Sequence, residues 1–371
     1  MSLSHHYHGL TWDHPRGFNA LAAASEKVEG FSLRWDKHPL EGFETHPIAD
    51  LCARYDLVVL DHPHVGEAVA HDCLVPLEDM FGADEIARLE ANCIGPSLSS
   101  YHYAGKHWAL PLDAATQVMA AREDLTGAMP ETWDAVVCLS KRLPVALSLA
   151  GPHAALSFQS ICVAMGEKPA ADRDQFIGRE TGEAAYELMR ELAERSPVSV
   201  RDKNPIGILQ HMCDHDDVAL CPLIYGYVNY ADRLGFGNAP RGEGGIGSTL
   251  GGTGIGISRK CEITPALLTH LRWLMSDAAQ IGFIPAHDGQ PSLKSAWRDP
   301  QVNAGWGRFY LNTYDTLEAA YLRPRHSHAI AFQTAASARL RQALEGKEAA
   351  GSVIKSLNNL YTDYHPTGVE T

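Results

Sequence analysis

The sequence predicts an α/β protein built as two lobes, and three observations carry that prediction. At 371 residues the chain is longer than a single hydrophobic core usually supports. Apolar runs that read as strands alternate with longer helical patterns, the mark of layered α/β architecture. No repeat or low-complexity tract breaks the alternation, and no apolar run reaches the roughly 18 residues that a membrane span requires.

The strand candidates are, in order, Tyr7 to Thr11, Asp56 to Leu60, His107 to Pro111, Val145 to Leu149, Val218 to Leu223 and Gly254 to Ile257. Each ends near turn-forming or polar residues, and ligands of open α/β sheets gather at such ends. Helical patterns cover Gly17 to Glu29, Pro47 to Arg54, Asp84 to Glu90, Trp133 to Arg142, Thr181 to Ser196, Pro265 to Met275, Phe332 to Glu345 and Lys347 to Tyr364. Thr264 before Pro265, and Thr132 before Trp133, are hydroxyl N-caps. Pro111-Leu112-Asp113 and the glycine-rich stretch Gly242 to Gly256 read as crossings between lobes, since glycine tolerates the backbone angles of a hinge.

Thirty-one basic against 45 acidic residues leave a net charge of −14, which opposes binding to nucleic acid phosphates or anionic lipid. The eight cysteines include no C-x-x-C pair and mostly sit in apolar contexts; buried free thiols are the expectation, with disulfide pairing left open by the spacing. Met1 to Leu10 lacks the basic start and apolar stretch of a secretory leader. The expected compartment is therefore periplasmic if a leader has been removed and cytoplasmic otherwise.

Tyr103-Ala104-Gly105-Lys106-His107-Trp108-Ala109-Leu110-Pro111-Leu112-Asp113, then Met119 to Leu125, then Met129-Pro130-Glu131-Thr132-Trp133-Asp134 follow one another in a recognisable order. Asp56 to His62, Val218 to Tyr227 and Gly251-Gly252-Thr253-Gly254-Ile255-Gly256-Ile257-Ser258 extend it along nearly the whole chain. The chain thereby resembles the extracellular solute-binding proteins of bacterial ABC importers, of the maltose-binding type. The resemblance implies a Venus-flytrap fold with the ligand cleft between lobes. It further implies an N-terminal lobe of residues 1–110 with 254–301, a C-terminal lobe of 113–249 with 302–371, and crossovers near 111–113, 250–254 and 300–305. The implied function is a monomeric receptor that closes on a small polar solute (sugar, polyol or small organic acid) and presents it to a transmembrane permease, without catalysis or cofactor.

A cleft of this kind needs aromatic faces and fixed polar groups at strand ends. The candidates are Trp12, Asp13 and His14 after the first strand, Asp61 and His62 after the next, Asp113 at the crossover, Pro152 and His153, and Tyr225, Tyr227 and Asn229 after Val218 to Leu223. Arg323 is a candidate for a ligand carboxylate, because guanidinium binds such groups as a bidentate fork. His62-x-His64, His326-x-His328 and His211-x-Cys213-x-His215 carry ligand-type side chains, yet none has the spacing of a closed zinc site, and no metal is expected. His5-His6-x-His8 reads as a solvated end.

Two other readings stay open. One is a cytoplasmic sensor or carrier of the same fold; the other is a hydrolase or transferase using Asp61 and His62. Gly242-Glu243-Gly244-Gly245-Ile246-Gly247 matches G-x-G-x-x-G, but the Ser248-Thr249-Leu250-Gly251 that follows will not hold the helix a dinucleotide site demands. No nucleophile elbow, zinc-protease helix or phosphate-binding loop motif is present.

Overall fold

Parallel pairing brings the ends of three early strands to one edge of a sheet. His6–Trp12 lies between Ser32–His38 and Leu57–Leu60, parallel to both, so Trp12, His38 and Leu60 all finish on the same side. Leu250–Ile257 then runs antiparallel to Leu57–Leu60, and Leu110–Ala121 antiparallel to Leu250–Ile257. The far half of Leu110–Ala121 pairs with Leu220–Tyr225 and Gly235–Gly237, which completes a seven-stranded mixed sheet. The computed structural model describes residues 5–365.

Leu110–Ala121 is buried along all of its length and serves both halves of the sheet. The expected strand His107 to Pro111 divides here: Lys106–His107 makes a small hairpin with His102–Tyr103, and the long strand starts at Leu110. Pro111 lacks a backbone N–H, and the partner strand answers with a register shift between Thr253 and Gly254 opposite it. Gly252, at φ +86, passes where a Cβ would lie 2.4 Å from the Asp113 carbonyl oxygen, so only glycine fits that crossing.

Both predicted caps form, Thr132 accepting from the Ala135 N–H and Thr264 from the Leu267 N–H. Val145 to Leu149 is extended but not a strand. Val145 bridges only to Leu220, and the Leu147 N–H turns to the Ser196 hydroxyl. The helix Lys347 to Tyr364 starts later, at Ala350, because Lys347 adopts a left-handed conformation that ends the preceding helix Ala329–Gly346. His153–Ala164 is a helix with no counterpart in the pattern: every residue except Val163 is buried, so it has no polar face to betray its period. His6 and His8 are exposed, as a solvated end requires, but belong to the first strand. The Gly242 to Gly247 segment is a tight hairpin, Arg241–Gly242 against Gly245–Ile246.

The largest core cluster runs continuously from Tyr7 and Trp12 to Val200, Met212 and Phe236, so the two halves share apolar packing. A second gathers Trp133, Phe158, Tyr186 and Tyr361 among the helices behind the far half, and a third lies around Ile48, Val58 and Leu74. Among the described residues no helix is long and apolar enough to cross a membrane.

Candidate functional site

The strand ends border a narrow crevice of about 50 Å³, lined by Trp12, Arg16, Leu40, Phe43, Glu44, Asp61, Tyr225, Tyr227 and Gly251 to Thr253. Trp12, Asp61, Tyr225 and Tyr227 from the sequence reading line it directly.

Arg16 is the centre of this arrangement. Its Nε and Nη2 donate to the two carboxylate oxygens of Asp113 at 2.7 and 2.5 Å, and Nη1 donates to the Gly226 carbonyl at 3.0 Å. The guanidinium lies 4.8 Å from the Tyr227 ring centre and 5.5 Å from that of Trp12. Two aromatic faces thus cradle a cation that already owns a carboxylate. Burial works against its charge, and Asp113 more than compensates, so Arg16 keeps its proton more firmly than usual.

His14 caps the helix Pro15–Ser25, its Nδ1 accepting from the Arg16 N–H at 3.1 Å. Its ring stacks on Trp12 with centres 5.2 Å apart and meets the edge of Tyr227. Burial, then the neighbouring Arg16 charge, lowers its pKa to about 4, so the ring is neutral near pH 7.

A second buried pair lies behind the crevice. Arg323 donates to Asp61 at 2.6 Å, to the Leu250 carbonyl at 3.1 Å and to Gln333 Oε1 at 3.0 Å. Burial alone would raise the Asp61 carboxyl; Arg323 and His62 hold it below the usual range. Arg323 is thus engaged within the protein rather than offered to a ligand. His62 is fully buried, its Nδ1 3.1 Å from Asp61, with its pKa lowered to about 4 by burial and Arg323.

Tyr225 is the half-buried ring of the set. It rests on Gly251, where a Cβ would come within 2.5 Å of it. His153, 3% exposed, meets Tyr225 edge-on, and its Nε2 lies 3.7 Å from Glu44. Burial, then Arg323 and Arg341, lowers its pKa to about 3. Asn229 stands apart from the crevice and donates to the Asp288 carbonyl at 3.3 Å. Asp13 is exposed and pairs with Lys37, and Pro152 precedes the His153 helix without lining the crevice.

Below Tyr225 lies a closed polar network. Gln117 Oε1 accepts from the Ser160 and Thr249 hydroxyls, Ser248 donates to the Gln117 carbonyl, and the Thr249 N–H donates to Ser160. Every one of these side chains is buried. Such a satisfied network specifies one arrangement of the strands that meet there.

Sequence reasoning missed Arg16, Leu40, Phe43 and Glu44. Arg16 stands only two residues past His14, in the first turn of a helix that the pattern started at Gly17. Phe43 and Glu44 lie on Leu40–Thr45, a helix too short to show a period. Among the described residues no group of three or more His, Cys, Asp or Glu side chains could hold a metal ion.

No sequence among the curated proteins matches this chain. Solved structures do. An ABC transporter solute-binding protein from Agrobacterium radiobacter K84, in complex with ribitol, is 21% identical with a TM-score of 0.82, covering 98% of this chain and 100% of that one. Maltose-bound MalE3 of T. maritima is 16% identical at a TM-score of 0.80, over 97% and 100% of the two chains. A solute-binding protein of Thermotoga lettingae TMO, bound with α-D-tagatose, is 14% identical at 0.75, over 98% and 99%. These likenesses show a shared two-lobed α/β fold. The profile of the bacterial extracellular solute-binding proteins matches residues 49–309, well over half of the chain, including Asp61, Asp113, Tyr225 and the Gly251 to Thr253 crossing. The chain belongs to the bacterial extracellular solute-binding proteins.

Proposed function

We propose that this protein is the solute receptor of an ABC importer, and that its ligand is a small neutral polyhydroxylated molecule, a polyol or monosaccharide. The observation that carries this reading is the charge arrangement around the crevice. Arg16 is the only cation among the lining residues, and it already holds Asp113 bidentately. Arg323 behind it holds Asp61. A ligand carboxylate would have to separate a buried ion pair, at a cost of several kcal/mol, about 3–5 when a partner is lost. Hydroxyl groups can instead share the outer lone pairs of the carboxylates, while Tyr225 packs against the carbon skeleton. Ribitol and α-D-tagatose in two of the similar structures are ligands of this class.

Closure of two lobes over the solute is the functional output. In our reading residues 1–110 with 254–301 form one lobe and 113–249 with 302–371 the other, the first four and last six residues lying outside the described ones. The receptor works as an extracytoplasmic monomer, hands its solute to a transmembrane permease and performs no chemistry on it.

A thermal-shift screen tests the reading with ribitol, α-D-tagatose, maltose and malate as probes. A polyol or monosaccharide at a hundredfold excess over its Kd should stabilise the protein by about 2.7 kcal/mol, and the ligand should be recovered unchanged. A response to malate alone, or conversion of the solute, overturns it.

A further inference from the structure

His153 opens the helix His153–Ala164, and its imidazole is buried. Neither ring nitrogen has a hydrogen-bond partner among the described residues. The ring meets Tyr225 edge-on with centres 5.8 Å apart, and Glu44 Oε1 lies 3.7 Å from its Nε2. That gap is too wide for a direct hydrogen bond. Tyr225 and Glu44 both line the crevice, one from the strand Leu220–Tyr225 and the other from the helix Leu40–Thr45, so the ring stands at its wall.

A buried imidazole without partners is costly, and a protein keeps such a group where a role offsets the cost. Burial, then Arg323 and Arg341, holds the ring neutral. Neutral imidazole carries one donor nitrogen and one acceptor nitrogen, and a carboxylate oxygen accepts. An oxygen about 2.8 Å from both atoms would accept from the Nε2–H tautomer and donate to Glu44 Oε1. A hydroxyl does both at once. A carboxylate has no proton to give, and an ammonium has no lone pair to offer.

We propose that His153 and Glu44 form the specificity determinant of the crevice, a donor and an acceptor that together read one hydroxyl group of the solute. The inference rests on the neutral polyhydroxylated ligand proposed above and names the two side chains that select it. In the lobe division given there Glu44 belongs to one lobe and His153 to the other, so their shared hydroxyl is gripped only when the lobes meet. A solute lacking that hydroxyl leaves the buried imidazole unpaired and is rejected for that reason.

Isothermal calorimetry on the full chain tests this with ribitol and its monodeoxy analogues. One analogue should bind the wild type at least about tenfold more weakly than ribitol does. His153→Phe keeps a ring but no ring nitrogen; it should bind ribitol at least about tenfold more weakly than wild type and no longer tell ribitol from that analogue. Glu44→Ala, on a short helix at the rim, should erase the same discrimination, and it carries the test if His153→Phe does not fold. Equal discrimination in wild type and variants, or a wild type with no preference for ribitol over any analogue, overturns the inference and leaves the polyol reading standing. If ribitol does not bind, α-D-tagatose and its monodeoxy derivatives replace it. No binding by either probe overturns the inference together with the reading on which it rests.

Discussion

Arg16 and Asp113, 97 residues apart, form a bidentate ion pair whose two side chains are only 4% and 6% exposed. Buried charges of this kind are expensive to strand, because the survivor of a broken pair keeps its desolvation cost without its partner. Asp113→Ala should therefore lower stability by about 3–5 kcal/mol. Urea unfolding monitored by circular dichroism measures the loss. A change under about 1 kcal/mol would mean that water reaches Arg16 and that the pair is not the anchor described here.

Tyr225 rests on Gly251, and unlike the rings of Trp12 and Tyr227 its ring is not pressed against Arg16. Tyr225→Ala should weaken solute binding by at least about 1 kcal/mol through lost contact with the ligand skeleton, with little effect on the unfolding midpoint. Gly251→Ala should weaken it too, because the new Cβ displaces the ring. Isothermal calorimetry on both variants checks this; unchanged affinities would remove Tyr225 from the site.

His153 is neutral in the folded protein, its pKa lowered to about 3 by burial and by Arg323 and Arg341. The ordinary value near 6.5 applies once the chain unfolds. The unfolded state therefore binds the proton more readily, so the contribution of His153 is fully present above pH 6.5 and is lost as pH falls toward 3. His14 and His62, each lowered to about 4, act in the same direction. Comparing wild type with His153→Phe by urea unfolding at pH 7.5 and 4.5 isolates one term. The wild type should lose more stability on acidification than the variant, and equal losses would sink the assignment.

Gln117 joins strand, helix and crossover through Ser160 and Thr249. Gln117→Leu leaves those buried hydroxyls without their acceptor, at a cost of about 1–3 kcal/mol each for a group left unsatisfied. Hydrogen exchange should report the break locally, at the amides of Thr249 and its neighbours. Protection there equal to wild type would argue that water replaces the amide oxygen.

Local patterns by themselves determined the class of the fold and most of its elements. Alternation of strands and helices, hydroxyl caps at Thr132 and Thr264, and glycines at 251, 252 and 254 are short-range features, legible because each rests on the backbone preferences of a few residues. Strand ends rich in Trp, Asp, His and Tyr pointed to one edge of a sheet, and Trp12, Asp61, Tyr225 and Tyr227 do line the crevice there. Pairing across the chain was invisible. That Arg16 takes Asp113, and that Arg323 takes Asp61, both depend on strand order and helix packing. Charge on a side chain is a property of its residue; whether that charge is spent inside the protein or offered to a ligand depends on which atoms the fold brings within about 3 Å of it.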